Sequence, residues 1–188
     1  MNTEALHRKK NPILLQQQLL ESAAKIAGRD GIAALSLNAV AREAGVSKGG
    51  LLYHFPSKQA LIFALFERLL AIMEDAISGL MHADRITYGR FTRAYLNYLS
   101  SLTDTDESRQ LMVLSLAMPD EPVLRRCWRD WILNHLQEGD ALDNGPTGTL
   151  VRYAADGLWL SELTEGKTMS PEHRLALVCS LSAMTFPV

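Results

Sequence analysis

Apolar residues recur at helical intervals along most of the chain. From about Ile13 to Gly28, Leu19, Ala23, Ile26 and Ala27 fall on one face, and the Asp30–Gly31 pair ends that helix. Ser36 suits an N-cap, and Leu37, Val40, Ala41 and Ala44 follow at i, i+3, i+4 and i+7 as the inner stripe of a second helix. Gly45 supplies a positive-φ stop, Ser47 caps a third helix that runs only to about His54, and Pro56 breaks the chain. Ser57 caps a fourth, long helix over about 57–80, rich in Leu, Ile, Phe, Ala and Met. Later helices are expected near 87–102, 107–117, 121–138, 148–165 and 171–184. Their separators are Asp84, Thr103–Asp106, Pro119, Gly139–Gly148 and Gly166–Ser170. Ser170–Pro171–Glu172 joins a cap, a first-turn proline and a first-turn acid, a strong helix start. Only short runs look strand-like, so the expected fold is all-α with about nine helices.

Within this pattern the stretch Ser36–Lys58 has the form of two short helices around a tight turn, followed by a capped entry into a third. Many proteins use that arrangement to place one helix in the major groove of DNA. The helix after Ser47 carries Gly49 and Gly50, each of which costs roughly 1 kcal/mol relative to alanine. A surface bare of side chains lets a helix backbone approach DNA closely; the alternative is a frayed loop. Lys58 falls in the first turn of the fourth helix, where the dipole disfavours a cation, and a phosphate lodged there would offset the mismatch; the alternative is an exposed lysine whose long stem escapes the dipole.

Charge distribution agrees. Residues 1–58 hold eight Lys/Arg against four acids, a net +4, and the rest hold eleven against seventeen, a net −6, within an overall −2. A basic head on an acidic body suits a polyanion partner for the head. The two cysteines, Cys127 and Cys179, form neither a CxxC pair nor a metal-ligand spacing and are expected as buried free thiols. No cofactor or metal site is expected. The sequence shows no signal-peptide pattern and no run of about 18 apolar residues, so a cytoplasmic protein without membrane contact is expected.

The segment GIAALSLNAVAREAGVSKGGLLYHFPSKQAL resembles the DNA-binding segment of TetR-type (tetracycline-repressor-like) transcriptional regulators. Gly31, Ala41, Ala44, Gly45, Val46, Ser47, Gly49, Leu51, His54, Phe55, Lys58 and Leu61 fall in register with the family pattern, and the resemblance covers about residues 13–65. Gly50 stands where the family often has threonine, Leu52 where it commonly has tyrosine, and Val40 where it has isoleucine. Leu52 reads as a core residue, and the tyrosine's role passes to Tyr53. The resemblance implies that Ser36 and Asn38 approach the DNA at the start of the second helix, with Asn38 able to pair with adenine. It implies that Lys48, Gly49, Gly50 and Tyr53 present the third helix, and that Ser47, His54 and Lys58 grip phosphates. His54 has a second reading, as a bond to a neighbouring helix. The arm Arg8–Lys9–Lys10 is either a minor-groove or backbone contact or a solvated tail.

The implied organisation is a flexible basic arm (1–12), a helix-turn-helix domain (13–58) and a C-terminal ligand-binding and dimerisation domain (59–188). The resemblance implies that the last two helices pair with their copies in a homodimer. Leu150, Ala154, Gly157, Leu158 and Ser161, then Leu175, Val178, Cys179 and Ser182, form stripes with small residues that permit close approach, with burial within the monomer as their alternative. A two-fold dimer would bind a near-palindromic operator, and an unknown small-molecule effector in the C-terminal domain would release it. Candidate pocket residues are Tyr95, Tyr98, Met112, Met118, Trp128, Trp131, His135 and Trp159, with core packing as their alternative. Arg125, Arg126 and Arg129 read as a solvated face beside Asp130, with attraction of an anionic effector as the alternative. No nucleophile triad, metal cluster, phosphate-cradling loop or carboxylate pair points to an enzyme. The remaining alternative is a DNA-binding regulator with no small-molecule ligand, controlled by a protein partner or by its own abundance.

Overall fold

The computed structural model describes residues 12–102, 106–165 and 169–187, which form ten α-helices and two short 3-10 turns, with no strand among the described residues. The chain divides into two compact units, 1–65 and 66–188. The basic arm lies outside the described residues except for Pro12, which is the first residue of α1 (Pro12–Asp30). Proline suits that position because the first N–H of a helix has no intrahelical acceptor.

In the first unit, α1 is followed by a 3-10 turn (Ile32–Ala34), α2 (Leu37–Glu43), α3 (Lys48–His54) and the start of α4 (Lys58–Ala83). Each of the last three helices begins on a serine. Ser36 accepts the Ala39 N–H at 3.1 Å, Ser47 the Gly50 N–H at 3.1 Å and Ser57 the Ala60 N–H at 3.0 Å. The turn between α2 and α3 is a Schellman stop: Gly45 adopts φ 65°, its N–H bonds the Arg42 carbonyl at 3.2 Å, and the Val46 N–H reaches the Ala41 carbonyl at 2.9 Å. Leu19, Ala23, Ile26, Leu35, Val40, Leu51, Phe55 and Leu61 are buried, and they fix the short helices that lack intrinsic stability at seven residues each.

The second unit holds the rest of α4, then α5 (Arg90–Ser101), α6 (Asp106–Ala117), the turn Met118–Asp120, α7 (Pro122–Glu138), α8 (Ala141–Asn144), α9 (Pro146–Thr164) and α10 (Pro171–Ala183). Its core joins Met73, Ile77, Phe91, Tyr95, Leu96, Leu99, Val151, Ala155 and Trp159, and α5 packs chiefly on α9. The Tyr95 hydroxyl donates to Asp156 at 2.5 Å; burial, and then the Asp156 charge, pushes its pKa well above the usual value.

Several details depart from the sequence expectations. The 139–148 separator contains α8, opened by a capping box in which Asp140 accepts the Leu142 and Asp143 N–H groups. The same acids serve α5: Asp140 accepts the Gly89 N–H at 2.7 Å and Asp143 the Thr92 N–H at 2.9 Å. Gly89 adopts φ 66°, and a Cβ there would lie 2.6 Å from the Thr185 carbonyl oxygen, so α5 starts at Arg90 rather than near 87. α9 starts at Pro146 rather than Gly148, again with proline at the first helical position. The cysteines are not both buried: Cys127 is half-buried, its thiol pKa raised by burial, whereas Cys179 is exposed on the outward side of α10. Arg125, Arg126 and Arg129 are exposed, and Arg129 pairs with Asp130 at 3.5 Å.

Candidate functional site

The outward surface of the first unit is built on α3. At about 100° per residue, Lys48, Leu52, Gly49 and Tyr53 follow one another around a single arc of the helix. All four are exposed, Tyr53 at 82% and Leu52 at 37%, whereas Leu51 and Phe55 point inward. Leu52 is therefore not the core residue its apolar side chain suggested; the inward stripe passes through Leu51 and Phe55 and leaves Leu52 on the outside. Gly49 and Gly50 have ordinary helical backbones, and an added Cβ would come no closer than 3.4 Å to any atom. The fold of the chain itself does not demand glycine at either position.

Ser36 and Asn38 are exposed at the start of α2, and Ser47 at the start of α3. The serine side-chain oxygens are engaged as caps, which leaves their hydroxyl hydrogens able to turn outward. His54 is half-buried, its ring edge-on to Tyr53 at 5.2 Å and tilted against Phe55 at 6.5 Å. Lys58 is half-buried, with its ammonium 3.4 Å from the Ile32 carbonyl, which holds it beside the 3-10 turn at the start of α4. Serine caps, bare glycines, two lysines and an exposed tyrosine thus share the first unit.

In the second unit the expected pocket residues part company. Tyr95, Tyr98 and Trp159 are buried core residues, and Met112, Trp128 and Trp131 pack partly buried against them. His135 lines two cavities of about 190 Å³ each, which share Met81, Arg90, His135 and Glu138. Sequence reasoning passed over Glu74, Ser78, Arg90 and Glu138, which carry no local motif. Glu74 is the hub: its carboxylate accepts from His135 Nε2 at 2.7 Å, Trp131 Nε1 at 2.7 Å and the Ser78 hydroxyl at 2.8 Å. Burial raises its pKa, but the bonds from His135, Ser78 and Trp131 outweigh this and hold it below the ordinary value. The His135 ring stacks on Phe91 at 4.5 Å and meets Trp131 edge-on at 4.6 Å. Among the described residues the Arg90 Nε lies buried without a hydrogen-bond partner. These cavities therefore present both charge signs beside an aromatic wall.

Among the described residues no helix is long and apolar enough to cross a membrane, and no cluster of three His, Cys, Asp or Glu is placed to hold a metal ion. Residues 19–65 match the family described as bacterial regulatory proteins, tetR family, and residues 89–186 match the tetracyclin repressor-like C-terminal domain. An uncharacterised HTH-type transcriptional regulator of Bacillus subtilis, YvdT, is 32% identical over 68 residues, which span 36% of this chain and only 35% of that protein. Solved structures that share the fold include the following two. A transcriptional regulator from Rhodococcus superposes with a TM-score of 0.73 at 19% identity, over 90% of this chain and 95% of that one. The multidrug binding protein EbrR, complexed with imidazole, superposes with a TM-score of 0.69 at 22% identity, over 100% of this chain and 98% of that one.

Proposed function

This chain belongs to the TetR family of transcriptional regulators, and we propose that it acts as a homodimeric repressor on a near-palindromic operator and is released by a small molecule. The observation that carries the DNA contact is the outward arc of α3. Gly49 on that arc, and Gly50 beyond Tyr53, have room for side chains within the chain and cost helix stability, so a close-approaching partner is the physical reason for them. Lys48 and Tyr53 flank that bare surface, while Ser47, His54 and Lys58 offer donors to phosphates. Asn38, exposed at the start of α2, has the amide geometry that pairs bidentately with adenine.

The dimer reading rests on the outward faces of α9 and α10. Leu150 is 55% exposed, Tyr153 72% and Leu175 63%, a set of large apolar groups that a second copy would cover. The effector reading rests on the Glu74–His135–Arg90 cavities, and EbrR, of the same fold, holds imidazole, malachite green or ethidium. One helix, α4, contributes Lys58 to the first unit and Glu74 to the second, and a ligand that moved it would alter DNA affinity. A coupling of about 1–3 kcal/mol suffices for a 5–150-fold effect.

Selection of bound fragments from random DNA by the full-length protein tests this reading. Enrichment of a two-fold symmetric motif supports it, and recovery of fragments without any common sequence refutes it. A thermal-shift screen tests the effector, since a ligand at 100 times its Kd adds about 2.7 kcal/mol.

A further inference from the structure

We propose that Leu52 reads the 5-methyl group of a thymine, one in each half of the DNA site. The inference rests on the reading that α3 enters the major groove, and goes beyond it to the base recognised. The outward arc of α3 runs Lys48, Leu52, Gly49, Tyr53, and Leu52 lies in its interior, flanked by a cation and a residue with no side chain. An aliphatic group 37% exposed at this place has no inward packing role that explains its whole surface, since Leu51 and Phe55 already fill the inner stripe at 0% and 3% exposure.

The major groove displays hydrogen-bonding edges on every base pair but one apolar group, the thymine methyl. A leucine side chain has neither donor nor acceptor, so against any other base edge it would desolvate polar atoms without replacing their bonds. Gly49 beside it removes the side chain that would hold the helix away, and a Cβ there would meet nothing of the chain closer than 4.0 Å, so the leucine can reach the floor of the groove. Lys48, one turn back on the same arc, supplies the charge that draws this face to the polyanion.

The test uses full-length protein and a synthetic duplex of the site returned by the selection, in which each thymine is replaced in turn by uracil. Uracil keeps the pairing edges and removes only the methyl. At one position per half-site the replacement should weaken binding about four-fold, and about fifteen-fold with both half-sites changed, the worth of one buried methyl group each. In Leu52→Ala the same replacement should change affinity by less than about two-fold, because the two groups lost are one contact. Uracil tolerated at every position overturns the proposal, as does an undiminished uracil penalty in Leu52→Ala, which would assign the methyl to another residue or to DNA stiffness. Leu52→Met, apolar and close in volume, should retain the penalty and guards against a folding defect in the alanine variant. A selection that returns no common sequence overturns the DNA reading itself and this proposal with it; a clear motif indifferent to uracil overturns only the role of Leu52.

Discussion

Replacing Arg93 by alanine should remove a large part of the stability of the second unit. Arg93 is 4% exposed and its guanidinium serves four places at once. Nε donates to Asp84 at 2.6 Å, Nη2 to the Ile86 carbonyl at 2.8 Å, and Nη1 to the Tyr88 carbonyl at 3.1 Å and the Thr185 carbonyl at 2.9 Å. The Phe186 ring lies 4.5 Å from Cζ on the far side. One residue thus ties the loop before α5 to the end of the chain. Truncation leaves the Asp84 carboxylate and three carbonyl oxygens without this donor. Breaking a buried pair costs about 3–5 kcal/mol, and the 23% exposure of Asp84 argues for the lower end, about 3 kcal/mol. Native domains have only about 5–15 kcal/mol to lose.

The chain's three tryptophans, Trp128, Trp131 and Trp159, all lie in the second unit, so their fluorescence during urea unfolding reports that unit selectively. The midpoint for Arg93→Ala should fall with little change in slope, at a fixed protein concentration. Arg93→Lys keeps the charge but not the planar fork, and one ammonium cannot reach Asp84, the two loop carbonyls and Thr185 together; it should lose about half as much. A loss under about 1 kcal/mol for the alanine variant, or a lysine variant equal to wild type, would refute the reasoning.

Two further outcomes are expected. Lys58→Ala should weaken binding to all DNA sequences alike and lower the salt slope by about one unit, measured by binding titrations at several salt concentrations; a loss confined to one sequence would contradict a phosphate role. Glu74 has a folded-state pKa below its unfolded value, so it adds stability above the unfolded pKa that is lost as pH falls through the folded one. Urea midpoints for wild type and Glu74→Gln should therefore differ most near neutrality and converge in acid. Its side chain is 39% exposed, so solvent screening keeps the difference to about 1 kcal/mol or less. A gap that widens in acid would reverse the sign and discard the hub role.

The first unit was more legible in the sequence than the second because its determinants are local. A serine oxygen caps an N–H three residues on, and a positive-φ glycine closes a helix within five residues, so Ser36, Gly45, Ser47 and Ser57 announce their roles in a short window. In the second unit the deciding contacts join distant segments: Glu74 to His135 across 61 residues, Asp143 to the Thr92 N–H across 51, Arg93 to Thr185 across 92. No spacing rule links such pairs, so Glu74 and Arg90 carry no sequence signal, whereas α8 has a local one in its Asp140–Asp143 capping box. Aromatic content is no guide to the cavity lining in the same region: Tyr95 and Trp159 are core, whereas His135 lines both described cavities with charged residues around it. Leu52 is a different kind of miss. Its position was decidable from helical phase, because Leu51 and Phe55, four apart, define the inner stripe of α3 and put residue 52 about 100° away from Leu51. Hydrophobicity alone assigns it inward; phase puts it on the flank of the inner stripe, where it is 37% exposed, and that exposed apolar group is the observation from which the methyl-reading proposal starts.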